Sequence, residues 1–153
     1  MALEIQSEDP ADPEITALLN VHLAFMNSLS PPESVHALDV EALRASNITF
    51  WTVRDQDALI GCVALKELDG SHGEIKSMHT SQSKRGQGIA QSILEHLISE
   101  AKSRGYKRLS LETGNIEAFY PAHRLYRRNG FVSCEPFADY KPDSFSICMT
   151  REL

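Results

Sequence analysis

The sequence predicts a single α/β (α+β) domain over residues 1–153, with a mixed, mainly antiparallel sheet of about seven strands and about four helices. Three observations predict it. Strand-like and helix-like stretches follow one another in the order β-α-α-β-β-β-α-β-α-β-β. The runs "ITFWTVR" and "ALIGCVALKEL", rich in β-branched and aromatic residues, flank the polar turn Asp55-Gln56-Asp57, which is a hairpin pattern. A helical stretch then separates the fourth strand from the fifth, and such a crossover predicts a parallel pair inside the antiparallel sheet.

In chain order, "LEI" reads as a short first strand. Asp12 is placed to cap the first helix, with Pro13 at its first position, and Ile15, Leu18, Leu19, His22 and Met26 recur at helical spacing. Consecutive prolines make "SPPESVHALD" a loop, and "DVEALRAS" a second, short helix. After the hairpin, "DGSHG" turns the chain into the strand "EIKSMHT". Ile89, Ile93, Leu94, Leu97, Ile98 and Ala101 then mark one face of a third helix, which ends on Lys102, Arg104 and a Gly105 suited to the position after the C-cap. "KRLSLET" is a strand and "AHRLYRRNG" a helix stopped by Gly130. "FVSCEPF" and "FSICMTREL" close the sheet.

Composition narrows the function. A chain of 153 residues can bury a real core. The acidic start, "MALEIQSEDPADPEI", is neither a signal nor a transit peptide, and no apolar run approaches the ~20 residues of a membrane span. Cys62, Cys134 and Cys148 are far apart and odd in number. They therefore read as small core residues rather than a disulfide framework or a metal site, and predict a cytoplasmic location. A net charge of −6 excludes a general nucleic-acid binder. Residues 81–130 nevertheless hold nine Lys/Arg against four acids, a net +5 that leaves −11 elsewhere. A basic third on an acidic protein suits a small polyanionic ligand.

The stretch "SKRGQGIAQSIL" locates that ligand. A dinucleotide fingerprint needs glycine where Gln91 stands, and a P-loop needs a Gly-Lys-Ser/Thr that does not follow. What remains is Arg-x-x-Gly-x-Ala, formed by Arg85, Gly86, Gln87, Gly88, Ile89 and Ala90 between a strand and a helix. Small residues there let the backbone approach a pyrophosphate, and unpaired N–H groups of the first helical turn point at it.

This segment, "EIKSMHTSQSKRGQGIAQSIL", resembles the acetyl-CoA-binding segment of the Gcn5-related N-acetyltransferase (GNAT) superfamily. There a Glu eleven residues before the Arg stands on the preceding strand, as Glu74 stands before Arg85. A second family signature appears downstream as Leu125-Tyr126-Arg127-Arg128-Asn129-Gly130-Phe131. The order of elements resembles the family fold over nearly the whole chain. Two departures stand out: Thr80-Ser81-Gln82 replaces an apolar-x-Pro pattern, and Phe119 stands seven residues before the tyrosine, where relatives carry an Asn for the pantetheine arm. A phenyl ring cannot supply an amide's hydrogen bonds. Main-chain groups of "GNIEAFYPA" with Asn115 are the expected substitute.

The resemblance implies an enzyme that moves the acetyl group of acetyl-CoA to an amine of a small molecule, amino acid or peptide, by direct attack in a ternary complex and without a metal. A non-catalytic acyl-CoA sensor or interaction module on the same fold is the alternative. The resemblance places the backbones of Met78 and Thr80 against the cofactor, with Met78 as oxyanion donor, and makes Tyr126 the general acid that protonates the leaving thiolate. Glu74, which has the family spacing, His79 and Glu112 are the candidate bases. Lys84, Arg124 and Arg127 are candidates for further phosphates. The acceptor is expected between the loop 30–39 and the stretch "PFADYKPDSF", where Glu33, His36, Asp139 and Tyr140 are the candidate contacts. A homodimer through a sheet edge is a further expectation.

Overall fold

Strands β1 (Leu3–Ser7), β2 (Ile48–Asp55), β3 (Ala58–Asp69), β4 (His72–Thr80), β5 (Arg108–Gly114), β6 (Val132–Cys134) and β7 (Ser146–Glu152) form one sheet in the order β1-β2-β3-β4-β5-β7-β6. Helices α1 (Pro13–Leu29), α2 (Val40–Leu43), α3 (Ile89–Ser103) and α4 (Tyr120–Arg128) cover its two faces. These assignments come from a computed structural model that describes residues 3–36 and 38–153. Met1, Ala2 and Ala37, the last inside the expected proline-rich loop, lie outside the described residues.

The expected parallel pair is β4 with β5, joined through α3; all the other pairings are antiparallel. The order of the last two strands was not predicted: β7 inserts between β5 and β6. Strand β6 is also shorter than the run "FVSCEPF". It stops at Cys134, and residues 135–145 leave the sheet as a loop. At the β2–β3 hairpin, Gln56 and Asp57 both have positive φ, the twist that a two-residue hairpin turn requires.

Alternation along β2 and over Cys62–Leu65 of β3 divides the interior into two cores; a bulge at Ile60 turns that residue to the α3 side. Trp51, Val53, Val63 and Leu65 face α3 and α4, together with Ile75, Leu109, Leu111 and Met149. Phe50, Cys62 and Ala64 face the other way, against Ile15 and Leu19 of α1 and Leu43 of α2. Helix α1 starts as expected, with the Asp12 carboxylate accepting from the Glu14 N–H and Pro13 in the first turn. Arg54 ties its start to the sheet through ion pairs with Glu8 and Glu14. Helices α3 and α4 both end in the same motif. The Tyr106 N–H bonds the Ala101 carbonyl and the Phe131 N–H bonds the Tyr126 carbonyl, across Gly105 and Gly130 respectively. That ending docks Phe131 on the Tyr126 ring and fixes the tyrosine's position.

Candidate active site

The site begins where β4 and β5 part. Their pairing runs from His72 with Arg108 to Ile75 with Leu111 and then stops. Beyond that point β4 stays on β3 as far as Thr80, and β5 stays on β7 as far as Gly114. A bulge helps to drive them apart: Cys62 faces His79 and Ala64 faces Lys76, so the single Val63 opposes both Ser77 and Met78. Ser77 carries the strain of that bulge at φ 53°. The parted strands open a cleft of about 650 Å³ that reaches from α1 to the start of α3.

One end of the cleft is built from backbone. Gly86 and Gly88 both sit at φ 79°, a left-handed conformation that costs other residues about 1–2 kcal/mol. Gly88 caps α3 without a side-chain bond, so the first-turn N–H groups of the helix are free to meet an anion. Lys84, Arg85, Gly86, Gly88, Ile89 and Ala90 all line the cleft, as do Met78 and Thr80. Arg85 donates to the Thr80 carbonyl and lies 5.2 Å from the Phe25 ring centre. Gln87 is exposed and does not line the cleft; its place in the loop is a matter of spacing. Among the α4 cations, Arg124 and Arg128 line the cleft, whereas Arg127 turns outward and donates to the Ser133 hydroxyl. The expectation for Arg127 is corrected accordingly, because helical spacing separates it from the face that Arg124 and Arg128 share.

Asn115 is also displaced from its expected role. It is exposed, it does not line the cleft, and its N–H is taken by the Phe145 carbonyl. Phe119 does line the cleft. Its ring occupies the space where any side chain at position 114 would begin, with ring atoms 2.2–2.8 Å from an ideal Cβ, so Gly114 is needed for this packing. His123 adds a 2.7 Å bond to the Gly114 carbonyl, which holds α4 against the end of β5.

The opposite end is formed by side chains: Lys76 and His36 line it, and Glu74 and Tyr140 stand behind them without lining the cleft. Glu74 is 2% exposed; its carboxylate accepts from the Tyr140 hydroxyl at 2.5 Å and from the Lys76 ammonium at 3.2 Å. Lys76 also donates to Tyr140 at 2.7 Å and to the His36 carbonyl at 3.2 Å. The two loops flanking this face are therefore clasped to β4 by one buried ion pair. Burial and the nearby Glu74 charge push the Tyr140 hydroxyl well above its ordinary range, which keeps it a donor. His36 lines the cleft and packs edge-on against Tyr140. Glu33 and Asp139 face solvent outside the cleft, so neither contributes to this wall.

Glu112 lines the middle of the cleft. Burial raises its carboxyl to about 7, with the Glu74 charge adding to that and Lys76 opposing it. Tyr126 lies on the far side of the parted strands, nearly buried, and burial together with the Glu112 charge pushes its phenol well above the ordinary value. His79 pairs with His22 of α1, their Nδ1 atoms 3.2 Å apart, so one ring donates and the other accepts. Burial lowers both to about 4, with the Arg85 charge acting in the same direction.

Sequence reading missed Lys76 and the His22 partnership. Alternation along β4 carries the Lys76 signal, since it shares a face with Glu74; nothing local ties His22 to His79. Phe25 and Met26 complete the wall from α1.

The family model for acetyltransferases of the GNAT family matches residues 15–131, most of the chain. The chain belongs to this family. It is 52% identical to the uncharacterized N-acetyltransferase YsnE of Bacillus subtilis, over 99% of this chain and all of that one. It is 34% identical to an IAA acetyltransferase of Azospirillum brasilense, over 97% of each. A GNAT acetyltransferase from Elizabethkingia anophelis, crystallised with acetyl-CoA, shares the fold with a TM-score of 0.68 and 20% identity, over 99% of this chain and 98% of that one. This GNAT chain is thus an acetyl-CoA-dependent N-acetyltransferase. Its cleft fits that cosubstrate: two left-handed glycines and a bare helix start for a pyrophosphate, four flanking cations, and freed strand edges for an amide-bearing arm. Among the described residues, no helix is long and apolar enough to cross a membrane.

Proposed function

We propose that this N-acetyltransferase acetylates an amine of a small molecule, amino acid or peptide by direct attack in a ternary complex, with Glu112 as the base and Tyr126 as the acid. The observation that carries the reading is the parting of β4 and β5 after Ile75 and Leu111, which leaves Glu112 and Tyr126 in one cleft. When bound, acetyl-CoA supplies an acetyl thioester open to attack by an amine. Glu112, its carboxyl raised to about 7 by burial, is matched to removing a proton from an amine, directly or through a water. His79 is a poorer choice, because a ring held near 4 gains little from taking an amine's proton. Glu74 serves a different purpose: its carboxylate is spent on Lys76 and Tyr140, so it anchors the acceptor wall. The Met78 N–H, on the outer side of the bulge, donates to the oxygen on which charge develops. Tyr126 remains protonated at neutral pH and gives its proton to the departing thiolate.

The acceptor enters between the loops 30–39 and 135–145, past His36, Phe25 and Met26. A CoA-release screen across amines, amino acids, polyamines and peptides tests the reading. Release with at least one amine, lost in Glu112→Gln and in Tyr126→Phe but retained in Glu74→Gln, supports it. Full activity in Glu112→Gln overturns the base assignment. Three free cysteines support a reducing, cytoplasmic location. The sheet edges β1 and β6 are the surfaces through which two copies would pair, which light scattering tests.

A further inference from the structure

Two of the cysteines that lie far apart in sequence face each other in the fold. Cys134 on β6 and Cys148 on β7 are direct partners in the antiparallel register. Residues so placed point to the same side of a sheet, with Cα atoms about 4.5–5.5 Å apart. Disulfide-linked Cα atoms lie about 4.4–6.8 Å apart, so the backbone needs no rearrangement to accept a link. The third cysteine, Cys62, is excluded: it is fully buried on β3, three strands from β7, with its thiol on the Ser77 carbonyl.

The position gives the pair a consequence. Cys148 is also the register partner of Glu112 on β5, so Glu112, Cys148 and Cys134 form one row across three strands. Cys134 is the last residue of β6, and the loop 135–145 that carries Tyr140 leaves directly from it. A bond between the two sulfurs would pin the root of that loop to the strand beside Glu112.

We propose that Cys134 and Cys148 form a reversible cross-strand disulfide that tethers the 135–145 loop at the acceptor side of the cleft. Cys134, which is only half-buried, meets the oxidant first. Its thiolate attacks a low-molecular-weight disulfide such as oxidised glutathione, forming a mixed disulfide and releasing one glutathione thiol. The Cys148 thiolate then attacks the Cys134 sulfur, closing the protein disulfide and releasing the second glutathione. Two protein thiols are oxidised and one glutathione disulfide is reduced to two thiols. Burial holds both protein thiols above their ordinary range, so exchange at neutral pH is slow.

The test uses the full chain in oxidised-glutathione buffers, with peptide mapping under non-reducing conditions and hydrogen exchange of residues 135–145. Neither readout depends on knowing the acceptor. The expected result is a Cys134–Cys148 linked peptide that disappears with dithiothreitol, with exchange of the 135–145 amides slowed several-fold in the oxidised protein. Cys134→Ser abolishes the link and the slowing, and Cys62→Ser retains both. Cys134→Ser changes a half-exposed edge residue, so it serves even if Cys148→Ser fails to fold. Persistence of glutathione on Cys134 with Cys148 still a free thiol overturns the proposal. So does a link that leaves the exchange of the loop unchanged.

Discussion

The two ends of the cleft are built in opposite ways. The end proposed for acetyl-CoA is largely main chain, contributed by residues between Met78 and Ala90 that include two left-handed glycines and a helix start with no side-chain cap. The end proposed to receive the acceptor is side chain, gathered from β4, β5 and the loops 30–39 and 135–145, and backed by a buried ion pair. A backbone site reads a ligand common to a family and tolerates change in its side chains. A side-chain site decides which acceptor enters, and depends on partners that must all be present.

That contrast can be broken most sharply at Glu112, where the two ends meet. Glu112→Gln is expected to lower kcat by ~10²–10⁴ and to remove the rise in rate with pH near 7 expected of the native enzyme, read from a pH–rate profile. The same change should raise stability. A carboxyl held at about 7 when folded favours folding fully below its ordinary value of 4.5, and that contribution is lost as pH rises through 7. Denaturant midpoints at pH 8 should therefore be higher for Glu112→Gln than for the native chain. A residue with a purely structural role would lose stability instead.

The acceptor wall comes next. Lys76→Met strands the Glu74 carboxylate in a buried position and is expected to cost about 3–5 kcal/mol in chemical denaturation. The double change Glu74→Gln with Lys76→Met should recover most of that loss, because the uncompensated charge is gone. If the single and double changes are equally destabilised, the clasp is not what holds this wall.

At the backbone end the effects are smaller and fall on the cosubstrate. Gly88→Ala meets no neighbouring atom, so its cost is the left-handed backbone alone, about 1–2 kcal/mol. It should weaken acetyl-CoA binding in calorimetry while leaving the acceptor's KM unchanged. Remote from both ends, Asp12→Ala removes the cap of α1 and is expected to lower stability by ~0.5–2 kcal/mol with no change in either affinity.

Legibility followed the same division. The glycine loop, the α3 stripe and the Tyr126 signature are short-range patterns, and the fold places them where their spacing implies. Arg127 and Asn115 do not line the cleft, because helix phase decides the direction of the one and the loop path that of the other. Glu33, His36, Asp139 and Tyr140 lie on loops whose routes depend on what they pack against. His36 lines the cleft, Tyr140 stands behind it on Glu74 and Lys76, and the other two face solvent.

The sequence by itself determined the fold class, the parallel crossover and a glycine-rich helix start suited to an anion, because hydrophobic period, glycine conformation and helix capping act over a few neighbouring residues. The reading of that loop and of Tyr126 as cosubstrate groups rests on the family resemblance. Only the tertiary structure decided that Glu74 is locked in an ion pair while Glu112 lines the cleft, that His22 meets His79, and that Cys134 faces Cys148. Those outcomes depend on the bulge at Ser77, the parting of β4 from β5 and the insertion of β7 between β5 and β6. Each is set by packing between segments distant in the chain, where burial and neighbouring charge outweigh what any single residue prefers.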